Sequence, residues 1–286
     1  MTKVCTRFAP SPTGHLHLGH AYSAILAYNA AKKTNGCFLL RIEDIDYTRC
    51  KKEYIDDIYT DLEWLGLEWE EPVRIQSKYL QDYQNVLQKL EKLGVIYPCF
   101  CTRKDIQREI KNAGYAPHEL NTDIYPGTCR SLSTKDVAEN IAQNKNYSLR
   151  INIAKSLALI KREKLFWTEE HSEKIQAEPE TLGDIIIARK DIQTSYHLSV
   201  VVDDYLQGIT HIIRGEDLKF TTHIHCLLQD LLGYKRPIYQ HHQLLLDPST
   251  GKRFAKRDQS KTLKSMRASG LSVEDIYKVI GINPIK

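Results

Sequence analysis

The chain has 286 residues, of which 42% are hydrophobic and 27% are charged, and its formal net charge is +4. A chain of this length and apolar content can bury a substantial core, and we expect two compact units. The mildly basic charge is compatible with RNA contact but does not establish it. No apolar run approaches the roughly 20 residues that span a membrane, and the N-terminus has no secretory hydrophobic region. Membrane partners are therefore not expected.

The seven cysteines are irregularly spaced and do not indicate a disulfide framework, which favours a reducing, cytoplasmic location. Three of them lie in apolar segments and are expected to be core thiols, namely Cys5, Cys37 and Cys226. Cys99, Cys101 and Cys129 are close enough in sequence to suggest a structural zinc site, with unrelated thiols as the alternative. Ligand chemistry alone makes His118 the first candidate for a fourth ligand.

Strands and helices alternate in the first third of the chain. A predicted strand at residues 3–8 leads to a helix at about residues 18–33, which Asn35-Gly36 ends. A buried strand follows at 37–42, and apolar residues then recur at helical spacing in two further helices, one of them capped by Ser77. The alternation predicts an α/β protein with a Rossmann-type, doubly wound parallel sheet.

The pattern is interrupted between residues 97 and 180. This interval holds the cysteine cluster, a polar helix at 102–111 and an alternating strand near 149–153, typical of an antiparallel sheet. We therefore expect the parallel sheet to be split by an inserted α+β subdomain that contains zinc. The alternation resumes with three strands and a helix, predicted at 184–189, 200–202, 209–214 and 222–232. The expected segments are two halves of the parallel-sheet domain around the insertion, then a basic loop with short helices: 1–96, 97–180, 181–245 and 246–286.

The run from Arg7 to His20 joins the first predicted strand to the first helix. Unpaired N–H groups and the dipole at a helix N-terminus form a binding site for anionic phosphate. His17 and His20 lie on one face of the first turn, and Gly19 allows a flat ring to approach the backbone. This pattern indicates phosphate chemistry on a nucleotide. A solvated or capping pair of histidines, or half of a metal site, are the alternatives.

Five sequence blocks together resemble a known family. They occur in a single order along nearly the whole chain, at Arg7–His20, Leu40–Asp46, Tyr196–Asp204, Ile209–Asp217 and Arg253–Arg257. The first block resembles the HIGH signature of class I aminoacyl-tRNA synthetases, in the form used by the glutamyl and glutaminyl enzymes. The last block stands where the KMSKS loop of those enzymes belongs. The resemblance implies an enzyme that uses ATP to activate an amino acid.

The resemblance assigns the catalytic roles on ATP to His17, His20 and Lys256, with Mg²⁺ accompanying the nucleotide. Imidazole donors and a lysine suit this chemistry, because reaction at phosphorus needs positioning and charge stabilisation. The implied ATP-binding residues are His17, Gly19, His20, Arg253 and Lys256. The loop departs from the family pattern, because Arg253 replaces the first lysine, and Lys252 could take the role of that lysine.

The same resemblance implies a binding site for L-glutamate. Its residues are Arg7, Ala9, Ser11, Glu43, Tyr196 and Arg214. Glu43 suits the α-ammonium group, and Arg7 and Arg214 suit the two carboxylates, since a guanidinium binds two carboxylate oxygens at once. The alternative for Arg214 is a strand-end arginine that pairs with Glu216 or Asp217.

Relatives that lack an anticodon domain hold zinc with a Cys-x-Cys pair followed by Tyr-x-x-x-Cys. Tyr125-Pro126-Gly127-Thr128-Cys129 has this spacing. The resemblance therefore implies a zinc site of Cys99, Cys101, Tyr125 and Cys129. Tyrosine is an unusual zinc ligand because its phenol has a high pKa.

Only 29 residues follow Arg257, where glutamyl-tRNA synthetases have a large anticodon-binding region. In this respect the chain resembles the truncated glutamyl-queuosine tRNA(Asp) synthetases. They activate glutamate without tRNA and attach it to the queuosine base in the anticodon loop of tRNA-Asp. We accordingly expect ATP, L-glutamate and queuosine-containing tRNA-Asp as partners of a monomer.

Three alternatives remain at this point. A compact glutamyl-tRNA synthetase would charge a tRNA 3′ end instead. Glutaminyl specificity is disfavoured by the two arginines. A catalytically dead tRNA-binding paralogue is disfavoured because His17, His20 and Lys256 are all present.

Overall fold

The computed structural model describes residues 3–112, 124–160, 164–170, 174–245 and 262–282. Its strands are β1 (Cys5–Phe8), β2 (Cys37–Ile42), β3 (Glu70–Ile75), β4 (Ile96–Cys99), β5 (Ser148–Ile151), β6 (Leu165–Glu169), β7 (Lys174–Ala177), β8 (Ile186–Arg189), β9 (His211–Gly215) and β10 (Ile238–His242). Its α-helices are α1 (Leu18–Lys32), α2 (Lys52–Trp64), α3 (Leu80–Lys92), α4 (Arg103–Asn112), α5 (Thr134–Ala142), α6 (Ile153–Ile160), α7 (Tyr196–Leu206), α8 (Thr222–Leu232), α9 (Leu263–Ala268) and α10 (Val273–Ile280).

Parallel strands form the centre of the fold, in two sheets that meet edge to edge. One sheet has the order β1-β2-β3, and the other has the order β7-β6-β10-β9. All neighbours are parallel except β6 and β7. At the junction Thr210 N–H donates to the Cys5 carbonyl (3.0 Å), and Cys5 N–H donates to Thr210 Oγ1 (2.8 Å). The succession β3-β2-β1 and then β9-β10 is the strand order of a Rossmann-type fold, so the predicted parallel α/β class is confirmed.

Small residues allow helix α1 to lie close to the first sheet. Ala21, Ala24 and Ala27 are all fully buried, and Thr6 Oγ1 in β1 donates to the carbonyl of Ala27 (2.7 Å). The helix ends before Asn35, which has a positive φ of 48° and turns the chain into β2. This packing fixes the start of α1 just beyond the end of β1.

The third sheet is antiparallel and has the order β4-β5-β8. It confirms the antiparallel strand predicted near residues 149–153. Sheet membership crosses the expected boundary at residue 180, because β6 and β7 belong to the sheet of β10, whereas β8 pairs with β5. The division of the chain into four segments remains a prediction.

Two local predictions were wrong. Residues 200–202 were predicted as a strand, but they lie within helix α7, where all three valines are buried. A short β-branched apolar run does not distinguish a buried helix from a strand. Ser77 was predicted to cap a helix, but it lies within a 3₁₀ turn, and α3 begins at Leu80.

Two cysteines also differ from expectation. Cys5 and Cys37 were predicted to be core thiols, but they form a disulfide between β1 and β2, with their Cα atoms 4.6 Å apart. They face each other because the register of the two parallel strands pairs these positions. Cys226 is a buried free thiol, as predicted. Among the described residues, no helix is both long and apolar enough to cross a bilayer.

We predict that Gly36→Ala destabilises the junction of β1 and β2. A Cβ atom at residue 36 would lie 1.9 Å from the carbonyl oxygen of Val4, which accepts a hydrogen bond from Cys37 N–H. Relieving this overlap should lower the free energy of unfolding by about 3 kcal/mol, measured by urea denaturation. The control is Gly66→Ala, where φ is +73° and no atom lies within 4 Å, so only backbone strain of about 1 kcal/mol is expected. Equal losses in the two variants would contradict the steric explanation.

Candidate active site

A cleft of about 470 Å³ opens at the carboxyl ends of β1, β2 and β9. This is where open parallel sheets present their ligands. All nine predicted ATP-binding and glutamate-binding residues in the described part of the chain line it: Arg7, Ala9, Ser11, His17, Gly19, His20, Glu43, Tyr196 and Arg214. The two remaining predicted residues, Arg253 and Lys256, lie outside the described residues.

His17 is the N-cap of α1 and lines the cleft at the same time. Its Nδ1 accepts a hydrogen bond from Gly19 N–H (3.1 Å), and Nδ1 of His20 accepts one from His17 N–H (3.2 Å). Because both Nδ1 atoms accept backbone protons, the neutral rings carry their own proton on Nε2. The capping role considered from the sequence is therefore real.

Gly19 has a steric role next to His17. A Cβ atom at this position would lie 3.1 Å from Cε1 and 3.2 Å from Nδ1 of the His17 ring. Any larger residue would therefore press on the ring that caps the helix. The sequence suggested a different reason for this glycine, close approach of the nucleotide.

The chain that follows the KMSKS-like block returns to the first helix turn. His17 and Thr262 pair in an isolated antiparallel bridge, and Leu263 N–H donates to the carbonyl of Leu16 (2.8 Å). Thr262 is six residues after Lys256 in the sequence. The structure thus places Thr262 and Leu263, which follow the KMSKS-like block, beside Leu16 and His17 of the HIGH-like block.

A buried ion cluster lies beneath the cleft. The side chain of Arg41 is fully buried and donates to Asp204 Oδ1 (2.8 Å) and Glu43 Oε1 (3.2 Å). Arg7 Nε donates to the same Asp204 oxygen (3.0 Å). Burial would raise the pKa of Asp204, but the charges of Arg7 and Arg41 lower it, so this carboxylate stays ionised. Burial raises the pKa of Glu43 even though Arg41 and Arg7 oppose it.

Arg214 has a different environment from Arg7. Its guanidinium donates to His241 Nε2 (3.1 Å) and Thr222 Oγ1 (2.7 Å), and lies 3.4 Å from His225 Nδ1 and 3.5 Å from the Tyr196 hydroxyl. These groups are neutral. Within the described residues Arg214 forms no ion pair with a carboxylate, so the alternative pairing with Glu216 or Asp217 is not observed. Arg214 is 5% exposed and lines the cleft, and none of its hydrogen-bond partners in the described part of the chain is a carboxylate.

Sequence reasoning left four histidines unassigned, and two of them contact Arg214. Burial and the charge of Arg214 lower the pKa of His241 to about 4, and the pKa of His225 is also well below its usual value for the same reasons. His242 lines the cleft, with Nε2 2.6 Å from Ser23 Oγ. His223 instead accepts a hydrogen bond from Glu178 N–H (2.7 Å). These contacts of the four histidines are made with residues distant in the sequence. The adjacent pair His241 and His242 was the sequence feature that could have indicated a site.

The predicted cysteine cluster is also assembled. The sulfur atoms of Cys99, Cys101 and Cys129 all lie within 4.8 Å of one another. Four tetrahedral zinc ligands with bonds of about 2.3 Å place sulfur atoms roughly 3.8 Å apart, so the cluster fits zinc. The Tyr125 hydroxyl lies 3.3 Å from Cys99 Sγ and 3.7 Å from Cys101 Sγ. His118, the other candidate ligand, lies outside the described residues.

Comparisons with known proteins identify the family of the chain. The family model "tRNA synthetases class I (E and Q), catalytic domain" matches residues 3–281. A Glutamyl-Q tRNA(Asp) synthetase of Rhodobacter capsulatus is 43% identical over 97% of this chain and 99% of that protein. A glutamate–tRNA ligase of Aquifex aeolicus is 36% identical over 98% of this chain but 57% of that protein.

A solved structure shares the fold. The crystal structure of the glutamate-tRNA synthetase from Elizabethkingia anophelis superposes with a TM-score of 0.75 at 28% identity, over 91% of this chain and 54% of that one. The family match spans nearly all of the described residues and includes the whole cleft. The chain therefore belongs to the class I tRNA synthetases of the E and Q type.

Proposed function

We propose that this protein activates L-glutamate with ATP in the absence of tRNA and transfers it to queuosine in the anticodon loop of tRNA-Asp. The observation that carries the proposal is one cleft that contains both a histidine-capped helix start and a buried arginine, and this arginine has no carboxylate partner among the described residues. The helix start suits a nucleotide phosphate. The arginine suits an anionic amino-acid side chain.

The charges that line the cleft support glutamate as the amino acid. The hydrogen-bond partners of Arg214 among the described residues are neutral, so a substrate carboxylate would supply a counter-ion for its positive charge. Glu43 offers a carboxylate for the α-ammonium group, and Arg7 lies between Asp204 and the cleft. Glutamine would leave the Arg214 charge unpaired, at a cost of several kcal/mol for a buried ion.

In the activation step, an oxygen of the glutamate α-carboxylate attacks the α-phosphorus of ATP, and the bond to the departing pyrophosphate breaks. The Nε2–H groups of His17 and His20 would donate to phosphate oxygens as negative charge develops there. Lys256 would hold the pyrophosphate. The pairing of His17 with Thr262 supports this role, because Thr262 follows Lys256 by six residues in the sequence. Mg²⁺ bound with ATP would neutralise part of the phosphate charge.

In the second step, the glutamyl group passes to the queuosine base and AMP is released. The proposed acceptor rests on similarity to the Rhodobacter capsulatus protein, which is named Glutamyl-Q tRNA(Asp) synthetase and matches over 99% of its own length. The lower identity to the Aquifex aeolicus glutamate–tRNA ligase makes charging of a tRNA 3′ end the second candidate.

We further propose that Cys99, Cys101, Tyr125 and Cys129 hold one structural zinc ion. The contacts of the Tyr125 hydroxyl with two of the sulfur atoms support tyrosine as the fourth ligand. The ion would join the end of β4 to the turn that contains Cys129. Its role would be structural because all four positions would be filled by the protein.

The first prediction from this proposal concerns activation. The protein should catalyse ATP–pyrophosphate exchange with glutamate, but not with glutamine, when no tRNA is present. His20→Asn should lower kcat roughly a hundredfold, the loss typical of removing one charge-stabilising donor. The control is His223→Gln, which alters a histidine bonded to Glu178 N–H outside the cleft and should keep wild-type kcat.

Transfer of labelled glutamate distinguishes the remaining functions. We expect labelling of queuosine-containing tRNA-Asp and none of tRNA-Asp without queuosine. Equal labelling of both, or labelling of tRNA-Glu, would favour the compact glutamyl-tRNA synthetase. An absence of exchange with any amino acid would favour a tRNA-binding paralogue.

The second prediction concerns zinc. Metal analysis of the purified wild-type protein should give about one zinc ion per chain. Cys101→Ser should lose it, whereas Cys226→Ser, which changes a buried thiol of helix α8 outside the cysteine cluster, should retain it. Tyr125→Phe should keep three thiolate ligands and bind zinc more weakly against a competing chelator. A wild-type protein free of zinc would refute the site.

A further inference from the structure

The hydrogen bonds of Arg214 determine the protonation of His241. A guanidinium can only donate, so Nε2 of His241 must accept the bond from Arg214 Nε (3.1 Å). The ring proton of the neutral imidazole therefore resides on Nδ1. The low pKa of His241, about 4, keeps the ring neutral and able to accept at neutral pH.

Glu169 holds His241 in this tautomer. Its carboxylate oxygens lie 2.9 Å and 3.0 Å from His241 Nδ1, and Oε1 also accepts the backbone N–H of His241 (2.8 Å). Trp167 Nε1 donates to the other oxygen (3.3 Å). Glu169 is 8% exposed, and although burial would raise its pKa, the hydrogen bonds from His241 lower it. An ionised carboxylate thus orients the imidazole from the side opposite Arg214.

The three residues come from three neighbouring parallel strands. Glu169 ends β6, His241 lies in β10, and Arg214 lies opposite His241 in the register of β9. The negative charge of Glu169 is therefore separated from the guanidinium by one imidazole ring. A carboxylate in direct contact would have neutralised Arg214, whereas a neutral ring fixes its position and leaves its charge available.

We propose that Glu169 and His241 are positioning residues that hold the Arg214 guanidinium through a neutral acceptor, and so make the site select an amino acid with a side-chain carboxylate over one with an amide. This inference rests on the proposed function, because it takes Arg214 to bind the side chain of the substrate. Neither residue needs to contact the substrate.

The test is ATP–pyrophosphate exchange by Glu169→Gln and His241→Phe. Phenylalanine removes the acceptor while filling a similar volume, and glutamine removes the charge that selects the tautomer. The KM for glutamate should rise on the order of tenfold, as for other supporting hydrogen bonds behind a binding group. The KM for ATP should stay within about twofold, because the side-chain hydrogen bonds that the structure gives Glu169 and His241 involve Arg214, Thr222 and Trp167 and not the proposed phosphate-binding histidines. The preference for glutamate over glutamine should fall.

The matched control is His211→Gln, on the same strand as Arg214. Its Nδ1 contacts Thr210 Oγ1 (2.9 Å), and it does not line the cleft. Unchanged KM values in the two test variants, or equal rises for glutamate and ATP, would overturn the inference. Wild-type protein that shows no exchange with glutamate would instead refute the proposed function, so the two failures are distinguishable.

A second measurement uses the wild-type protein, so it does not depend on whether a variant folds. The ¹⁵N chemical shifts of the His241 ring in the wild-type protein should report a proton on Nδ1 and a bare Nε2 at neutral pH. A proton on Nε2 would overturn the inference, because Arg214 could not then donate to this atom.

Discussion

A fully buried arginine organises the centre of this fold. Arg41 in β2 binds Asp204 of α7, which also binds Arg7 of β1. The adjacent Asp203 accepts hydrogen bonds from Arg74 of β3 (2.7 Å) and from the Tyr83 hydroxyl of α3. Because a buried charge that loses its partner costs about 3–5 kcal/mol, these carboxylates can only be replaced together with their arginines. Helix α7 is therefore held against β1, β2 and β3, and the carboxyl ends of the first two of these strands line the cleft.

The two arginines of the cleft illustrate two ways of burying a cation. Arg7 is compensated by a carboxylate within its own protein, so its charge contributes to assembly of the sheet and helix α7. Arg214 is bound by neutral groups, and the carboxylate of Glu169 acts on it through His241. The ion pair of Arg7 stabilises the folded state. The positive charge of Arg214 would instead be paired by an anionic ligand. The contrast appears only in the structure, because both residues look alike in sequence.

Local patterns in the sequence were sufficient for much of the fold, whereas the residues predicted for the cleft came mainly from the resemblance of five sequence blocks to a known family. Helix α8 and strand β2 have the predicted bounds within a few residues, because the apolar pattern of each element and the glycine beside it, Gly233 after α8 and Gly36 before β2, are local features. The roles of Arg41, Asp204 and His241 were not predictable in this way, because their partners are far away in the chain. Helix α7 was mistaken in part for a strand because burial on every side removes its periodicity.

The pairing of β9 with β10 places His241 directly opposite Arg214. Side chains alternate between the two faces of a strand, so a shift of one residue would direct the imidazole away from the guanidinium. Insertions in the turn before β10 can change its length without altering this alignment, whereas a single inserted residue inside the strand cannot. Relatives that differ in length between these two strands should therefore differ in the turn before β10. A relative with a residue inserted inside β10 should have lost the proposed preference for an amino acid with a side-chain carboxylate.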